Sequence, residues 1–466
     1  MALALGCQTA PPPFEKVSLV PGPNPFGPDD PLWSQQPARD HPFALVLSQD
    51  GGKLYVALQG VEDEPGHEVA VVSTQTETVT RRIEVGSSPT GIALHPGGRF
   101  VAVTNRFSNF ASVIDVERDE VVADIQVPFY CIDIIFTPDG KRAFLSNRWK
   151  DSVLTWELSV GAEFKVLSDN YSQKRPEDPM GIPVGDNPRD LSLAADGARL
   201  YVGSPTALGY SIIDTASLVE VDRVFLSSPP GDVLAVGDNV VVTHTGRGTQ
   251  HPPDLGWDTD GDSFAGDGTA NVMFQDLQNE IAVFAPTGEP LFNYTSDTIC
   301  CGDYRDVDPD HPYQGEGLRG ADIWPASRVD YLPPRATWTV ACALPEQTAR
   351  FADRLYVVCS GSNEVEPFAI AADGSLNALA QAGELFRTGM NPAGIAISPD
   401  GAKAYVAERL GEHVTVLDLG AGPGAEHRIL VGDVSGGEFP ATDAEIGEAI
   451  NFVTAGFTVD GDQTCV

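Results

Sequence analysis

Apolar and polar residues alternate with a period of two through most of the chain, and the alternation comes in short runs broken by glycine, proline and Asp-Gly turns. One cassette recurs. A proline leads into a short apolar strand, a tight turn follows, then a strand ending in a small or polar residue, a loop, an alternating strand, and a last one. Ser88 to Val127 shows it most plainly, as "SPTGIALHPGGRFVAVTN" followed by "ASVIDVERDEVVADIQV". The other copies start at "HPFALVLSQDGGKLYVALQG", "DIIFTPDGKRAFLSN", "NPRDLSLAADGARLYVGS", "DVLAVGDNVVVTHTG", "WTVACALPEQTARFADRLYVVC" and "NPAGIAISPDGAKAYVAERL".

Each copy holds four candidate strands at a spacing of about 40 residues, the signature of a four-stranded propeller blade. One blade cannot bury both its faces, but blades packed radially can. The expected fold is therefore all-β: a seven-bladed β-propeller of four-stranded antiparallel blades over residues 41–433, with a short helical segment after it. Two β-sandwiches would have similar turn statistics, and copies that stay in phase argue against them.

"KLYVA", "FVAVTN", "RLYVG" and "KAYVA" at the second strand, with "VIDV", "IIDT" and "VLDL" at the third, resemble the YVTN-repeat β-propellers of bacterial and archaeal surface proteins. The resemblance implies the fold and a place outside the cytoplasm, in the periplasm or at the cell surface; it implies no particular activity.

In such blades the loops after strands two and four open on one face, and every long insertion falls there, near 168–187, 244–279 and 294–335. That elaborated face is where binding residues are expected. The second insertion carries Asp258, Asp260, Asp262 and Asp267 in a glycine-rich loop, alternate carboxylates that could wrap a calcium ion. Positions six and twelve of a calcium loop hold Ser263 and Thr269, so an acidic solvated loop is the alternative. His244, Arg247 and His251 stand at the mouth of the same insertion, and His311 lies in the next, as candidates for contact with a metal or cofactor.

With 29 Lys and Arg against 66 Asp and Glu, the chain carries a net charge of −37. That field repels phosphate backbones and anionic lipid, which argues against nucleic acid as a partner, and it attracts cations. No apolar run reaches the roughly 18 residues of a membrane span. Ala4-Leu5-Gly6-Cys7 resembles the end of a bacterial lipoprotein signal, with Cys7 the residue to be lipidated, although the apolar stretch is short and lacks a basic start. It is either a clipped signal or a chance match. The proline-rich stretch up to residue 40 reads as an extended tether. Among the seven cysteines, neighbouring Cys300 and Cys301 are expected either to bridge each other or to pair with Cys342 or Cys359.

Residues 434–466 read differently. Thr442-Asp-Ala-Glu445 is a capping box, which predicts a helix from about Asp443 with Ile446, Ala449, Ile450 and Val453 on one face. A polar turn, Asp460-Gly-Asp462, then leads to Cys465. The segment resembles the opening of a c-type cytochrome domain of the di-haem cytochrome c peroxidase (MauG-like) group, in which Cys465 would be the first cysteine of a haem-attaching Cys-x-x-Cys-His. The resemblance implies a chain cut inside that motif, with haem c bound only by a longer form, and no redox activity from these residues alone. The alternative is an ordinary tail with a stray cysteine.

The functional expectation is an extracytoplasmic recognition and docking module whose elaborated face receives a haem domain or redox protein. A stand-alone cell-surface binder and a lactonase-like hydrolase are the other two readings. No nucleophile elbow, phosphate-cradling loop or zinc-protease motif occurs.

Overall fold

The computed structural model describes residues 14–19, 39–61, 64–174, 180–226, 229–247, 276–299, 335–337, 342, 344–379, 384–435 and 437. They form seven sheets, each built on four antiparallel strands consecutive in sequence, with Arg335–Thr337 added parallel to the last strand of the fifth, and no helix occurs among the described residues. The innermost strands are Pro42–Leu47, Pro89–Leu94, Cys131–Phe136, Leu191–Leu193, Pro230–Val236, Pro345–Phe351 and Pro392–Ile397. Each touches the next around the ring, and the last touches the first.

The apolar runs become intelligible in this arrangement. In Phe100–Asn105 every residue is buried, because the second strand of a blade lies between two neighbouring blades. Val101 and Val103 pack with Tyr55, Val69 and Val71 of blade 1; Phe100 and Ala102 pack with Leu145 and Trp156 of blade 3. Seven apolar clusters result, one per blade interface, including one that joins Leu54, Val56 and Leu58 of blade 1 to Tyr405, Val414 and Val416 of blade 7. Ring closure is thus a packed interface like the others, with no strand exchanged between the first and last blades among the described residues.

Polar groups pin the inner strands to one another. Thr104 Oγ1 accepts the N–H of Gly91 (2.9 Å) and donates to the Ile132 carbonyl of the next blade (2.9 Å). Ser146 repeats the device toward Arg189 (2.7 Å) and Thr243 toward Glu346 (2.7 Å). Glycine is needed at position 91, where an added Cβ would lie 2.5 Å from the Ile132 oxygen.

At one end of the ring, strands one and two join through the expected Asp-Gly turns. Gly140 and Gly401 take φ of 67° and 71°, and Asp139 and Asp400 each accept a backbone N–H two residues on. The opposite end carries the loops after strands two and four. Blade 5 stands taller there than expected: its strands Asn239–Arg247, Asp276–Phe284 and Pro290–Ile299 stay paired to their ends, so the intervening segments are 248–275 and 300–334. The polar runs "THTGR" and "DLQNE" stay in one ladder, from Thr243↔Ile281 to Arg247↔Leu277.

Part of the expected tether is held in place. Residues 14–19 run along blade 2, where Ser18 pairs with Ser108, Leu19 N donates to Phe107 O (2.7 Å) and Lys16 reaches Asp124 (2.7 Å). Arg39 Nη1 donates to the Gly437 carbonyl (2.8 Å), bringing the two flanks of the ring together.

Candidate functional site

On the loop-rich face, blades 2, 3 and 4 enclose an open hollow of about 540 Å³ lined by Arg106, Tyr130, Arg148, Trp149, Asn187 and Thr206. All six residues lie in loops after strand two or in connections into an inner strand. Backbone bonds fix these loops to each other: Arg106 N donates to Ser88 O (2.8 Å), Tyr130 N to Arg106 O (2.8 Å) and Arg148 N to Tyr130 O (3.0 Å).

The walls are aromatic and cationic. The Arg106 guanidinium lies 4.6 Å over the Phe107 ring and 5.9 Å over Tyr130. Tyr130 meets Phe107 and Trp149 edge-on, each at 5.6 Å, and Phe129 lies 6.3 Å from Trp149. Trp149 is 58% exposed, a large indole on the surface of a well-packed fold. Asn187 donates to Thr206 Oγ1 (3.1 Å), while its own side-chain oxygen is buried without a hydrogen-bond partner. In a chain of net charge −37, this rim thus gathers two arginines beside an exposed indole.

The central channel offers a second cluster. Asp133, Arg189, Asp190 and Gln347 line a cavity of about 90 Å³. Asp133 accepts the N–H groups of Ile134 (2.8 Å) and, across the blade boundary, Leu191 (3.0 Å). Asp232 does the same for Val233 (2.8 Å) and Thr348 (2.8 Å). Burial nevertheless wins over these bonds, pushing the Asp133 carboxyl up to about 7 and those of Asp190 and Asp232 upward as well. Arg189 lies between Asp190 (3.7 Å) and Glu346 (3.2 Å). The cavity is small, and the Asp133 and Asp232 carboxylates brace inner strands across blade boundaries.

Of the residues singled out from sequence, His244 is described in full. The second strand of blade 5 runs on past it, so it is buried, with Nε2 3.0 Å from a Glu280 oxygen, rather than standing at the mouth of an insertion. Cys342 and Cys359 bridge each other, their Cα atoms 5.0 Å apart. This excludes one of the two expected alternatives, a pairing of either with Cys300 or Cys301: Cys342 lies three residues before Pro345, the first residue of the inner strand, which is opposite Cys359. Cys131 is a buried free thiol, pushed up to about 12 by burial. Cys7, His251, Asp258, Asp260, Asp262, Asp267, Cys300, Cys301, His311, Cys465 and the helix expected from Asp443 lie outside the described residues.

The hollow itself was missed. Its trace in the sequence is a tripeptide repeated after strand two of successive blades, Asn105-Arg106-Phe107 and Asn147-Arg148-Trp149.

No protein-family model matches the chain, and no curated protein matches it. Among solved structures, the hydrazine synthase of Kuenenia stuttgartiensis is similar with a TM-score of 0.55 and 19% identity, over 82% of this chain and 96% of that one. That likeness is one of fold. A functionally unknown protein from Desulfotomaculum acetoxidans (TM-score 0.43, 13% identity, 72% of this chain and 85% of that one) and the virginiamycin B lyase of Staphylococcus aureus (0.45, 11%, 85% and 95%) are looser likenesses, and nothing rests on them.

Proposed function

We propose that the chain is an extracytoplasmic recognition module whose loop-rich face docks a basic, haem-c-bearing redox partner. The observation that carries this reading is the hollow of Arg106, Arg148 and Trp149 on that face. The net charge of −37 draws a basic partner in from a distance, and the arginine pair then accepts a carboxylate at contact. A haem edge, flat and bearing two propionates, has that chemistry. Two further observations favour the reading. The Cys342–Cys359 bridge suits an oxidising compartment. The segment Thr442–Cys465, with its likeness to the start of a cytochrome c domain, follows directly on the flank that Arg39 ties down at Gly437.

The test is biolayer interferometry with a basic cytochrome c as probe and an acidic one as control, at several salt concentrations. Binding of the basic probe that weakens with salt, and at least tenfold with Arg148→Glu or Trp149→Ala, is expected. Equal affinity of wild type and both variants, or binding of neither cytochrome, would remove the haem partner and leave a surface binder of another ligand.

A further inference from the structure

Away from the loop-rich hollow, a buried cluster among the described residues has the donor set of a metal centre. The Cys342 and Cys359 sulfurs and a Glu366 carboxylate oxygen all lie within 4.8 Å of one another. Cys342 precedes the inner strand of blade 6, Cys359 closes its second strand, and Glu366 lies in its third, paired with Val357. The two cysteines join the apolar cluster between blades 5 and 6, with Val357 and Phe368.

Glu366 is the anomaly. Its side chain is fully buried, neither carboxylate oxygen has a hydrogen-bond partner, and burial lifts its pKa well above the ordinary carboxylate range. A buried polar group left without a partner costs on the order of 1–3 kcal/mol, more when it is charged, and asks for an explanation. The disulfide accounts for the closeness of the sulfurs. It does not account for a carboxyl beside them, where an apolar residue would pack at no such cost. Two thiolates and a carboxylate are a donor set for zinc, and three protein ligands leave the fourth tetrahedral position to a water or another group.

We propose that the dithiol form of this chain binds one Zn²⁺ through Cys342, Cys359 and Glu366, and that the disulfide is the alternative state of the same site. Loading exchanges no electrons: each thiol gives up its proton as its S–Zn bond forms, and the carboxyl gives up its own. Closing the bridge from the metal-free dithiol removes two electrons and two protons. A disulfide oxidant takes them and becomes a dithiol, by exchange through a mixed disulfide. The newly made chain is already the dithiol, so no reductant is required for the ion to bind.

The experiment titrates the full chain, reduced with a phosphine under anaerobic conditions, with Co²⁺ as the spectroscopic probe and then with Zn²⁺. A background of Cys7→Ser, Cys131→Ala, Cys300→Ser, Cys301→Ser and Cys465→Ser removes the other five thiols of the chain. A sulfur-to-cobalt charge-transfer band, displaced by one Zn²⁺ per chain, is expected in that background. The band should vanish with Cys359→Ser and in the oxidised protein, and affinity should fall at least tenfold with Glu366→Gln, which keeps the shape of the side chain. If the reduced chain loses its near-ultraviolet circular dichroism, Zn²⁺ should restore it. A band indifferent to both substitutions, or a reduced chain that neither binds nor refolds with the ion, would overturn the proposal.

Discussion

Glu412 makes the pH dependence of stability calculable at one place in the ring. It is fully buried in the turn between the second and third strands of blade 7, and its carboxyl accepts the backbone N–H groups of Asp40 (3.2 Å) and His41 (3.2 Å) where the chain enters blade 1. Burial raises its pKa from 4.5 to about 8, against the opposing pull of the His41 N–H. An acid whose folded pKa lies above its unfolded one holds its proton in the fold while the unfolded chain has released it. Stability is therefore full below about pH 4.5 and is lost as pH rises toward 8. At about 1.4 kcal/mol per pH unit, the loss attributable to this one group is about 5 kcal/mol at most. Glu412→Gln keeps one acceptor and cannot titrate. The glutamine's NH₂ group meets one of the two N–H donors, a cost that does not change with pH. Urea unfolding of both proteins at half-unit steps from pH 4.5 to 8.5 should give curves that converge, or cross, as pH rises. Asp133 and the other buried acids, common to both proteins, drop out of the difference. A difference in unfolding free energy that stays constant over that range would refute the argument.

Other perturbations test the scaffold and the hollow. Thr104→Val leaves the buried Gly91 N–H without its side-chain acceptor, while the Ile132 carbonyl keeps the Thr90 hydroxyl (2.9 Å), and should cost about 1–3 kcal/mol in urea unfolding with an unchanged slope. Gly91→Ala puts a Cβ 2.5 Å from the Ile132 oxygen and 2.6 Å from the Asp133 Cα, both backbone atoms, and should lower stability by about 3 kcal/mol or more, read as the calorimetric Tm. Replacing Cys342 and Cys359 together by serine opens a loop of 17-residue separation, with an expected loss of about 3 kcal/mol that the wild type shows only when reduced. Trp149→Ala, at an exposed position, should leave the unfolding free energy in urea within about 0.5 kcal/mol of wild type while lowering partner affinity, so that the two readouts separate.

The fold was legible because a propeller writes its geometry twice into each strand. Val101 and Val103 serve one blade interface, Phe100 and Ala102 the other, so "FVAVTN" is apolar on both alternating sets and only a strand covered on both faces explains it. The Asp-Gly turns added the loop order. Ring closure was less legible, since to the apolar interface of blades 1 and 7 it adds Glu412, an acidic residue in "RLGEHV" that reads from sequence as a solvated turn.

Reading the site from sequence favoured residues whose chemistry is conspicuous one at a time: aspartates in a glycine-rich loop, paired cysteines, histidines beside an insertion. His244 shows why that misleads. A strand end cannot be located from a polar run such as "THTGR", and three more ladder pairs are enough to turn an exposed histidine into a buried one facing Glu280. The arginine and tryptophan hollow fails the same way in reverse. Arg106, Tyr130, Arg148 and Asn187 are spread over some 80 positions and become neighbours only because consecutive blades bring equivalent loops together at one rim. In a repeat ring, then, the informative pattern is one recurring at the same register in adjacent blades. Asn-Arg-aromatic after strand two does so in blades 2 and 3, whereas blade 7 has Glu408-Arg409-Leu410, with no aromatic ring, at the same register. The docking surface should accordingly be confined to the blade 2–4 sector, and charge reversal of Arg409 should leave intact the affinity that Arg148→Glu lowers at least tenfold.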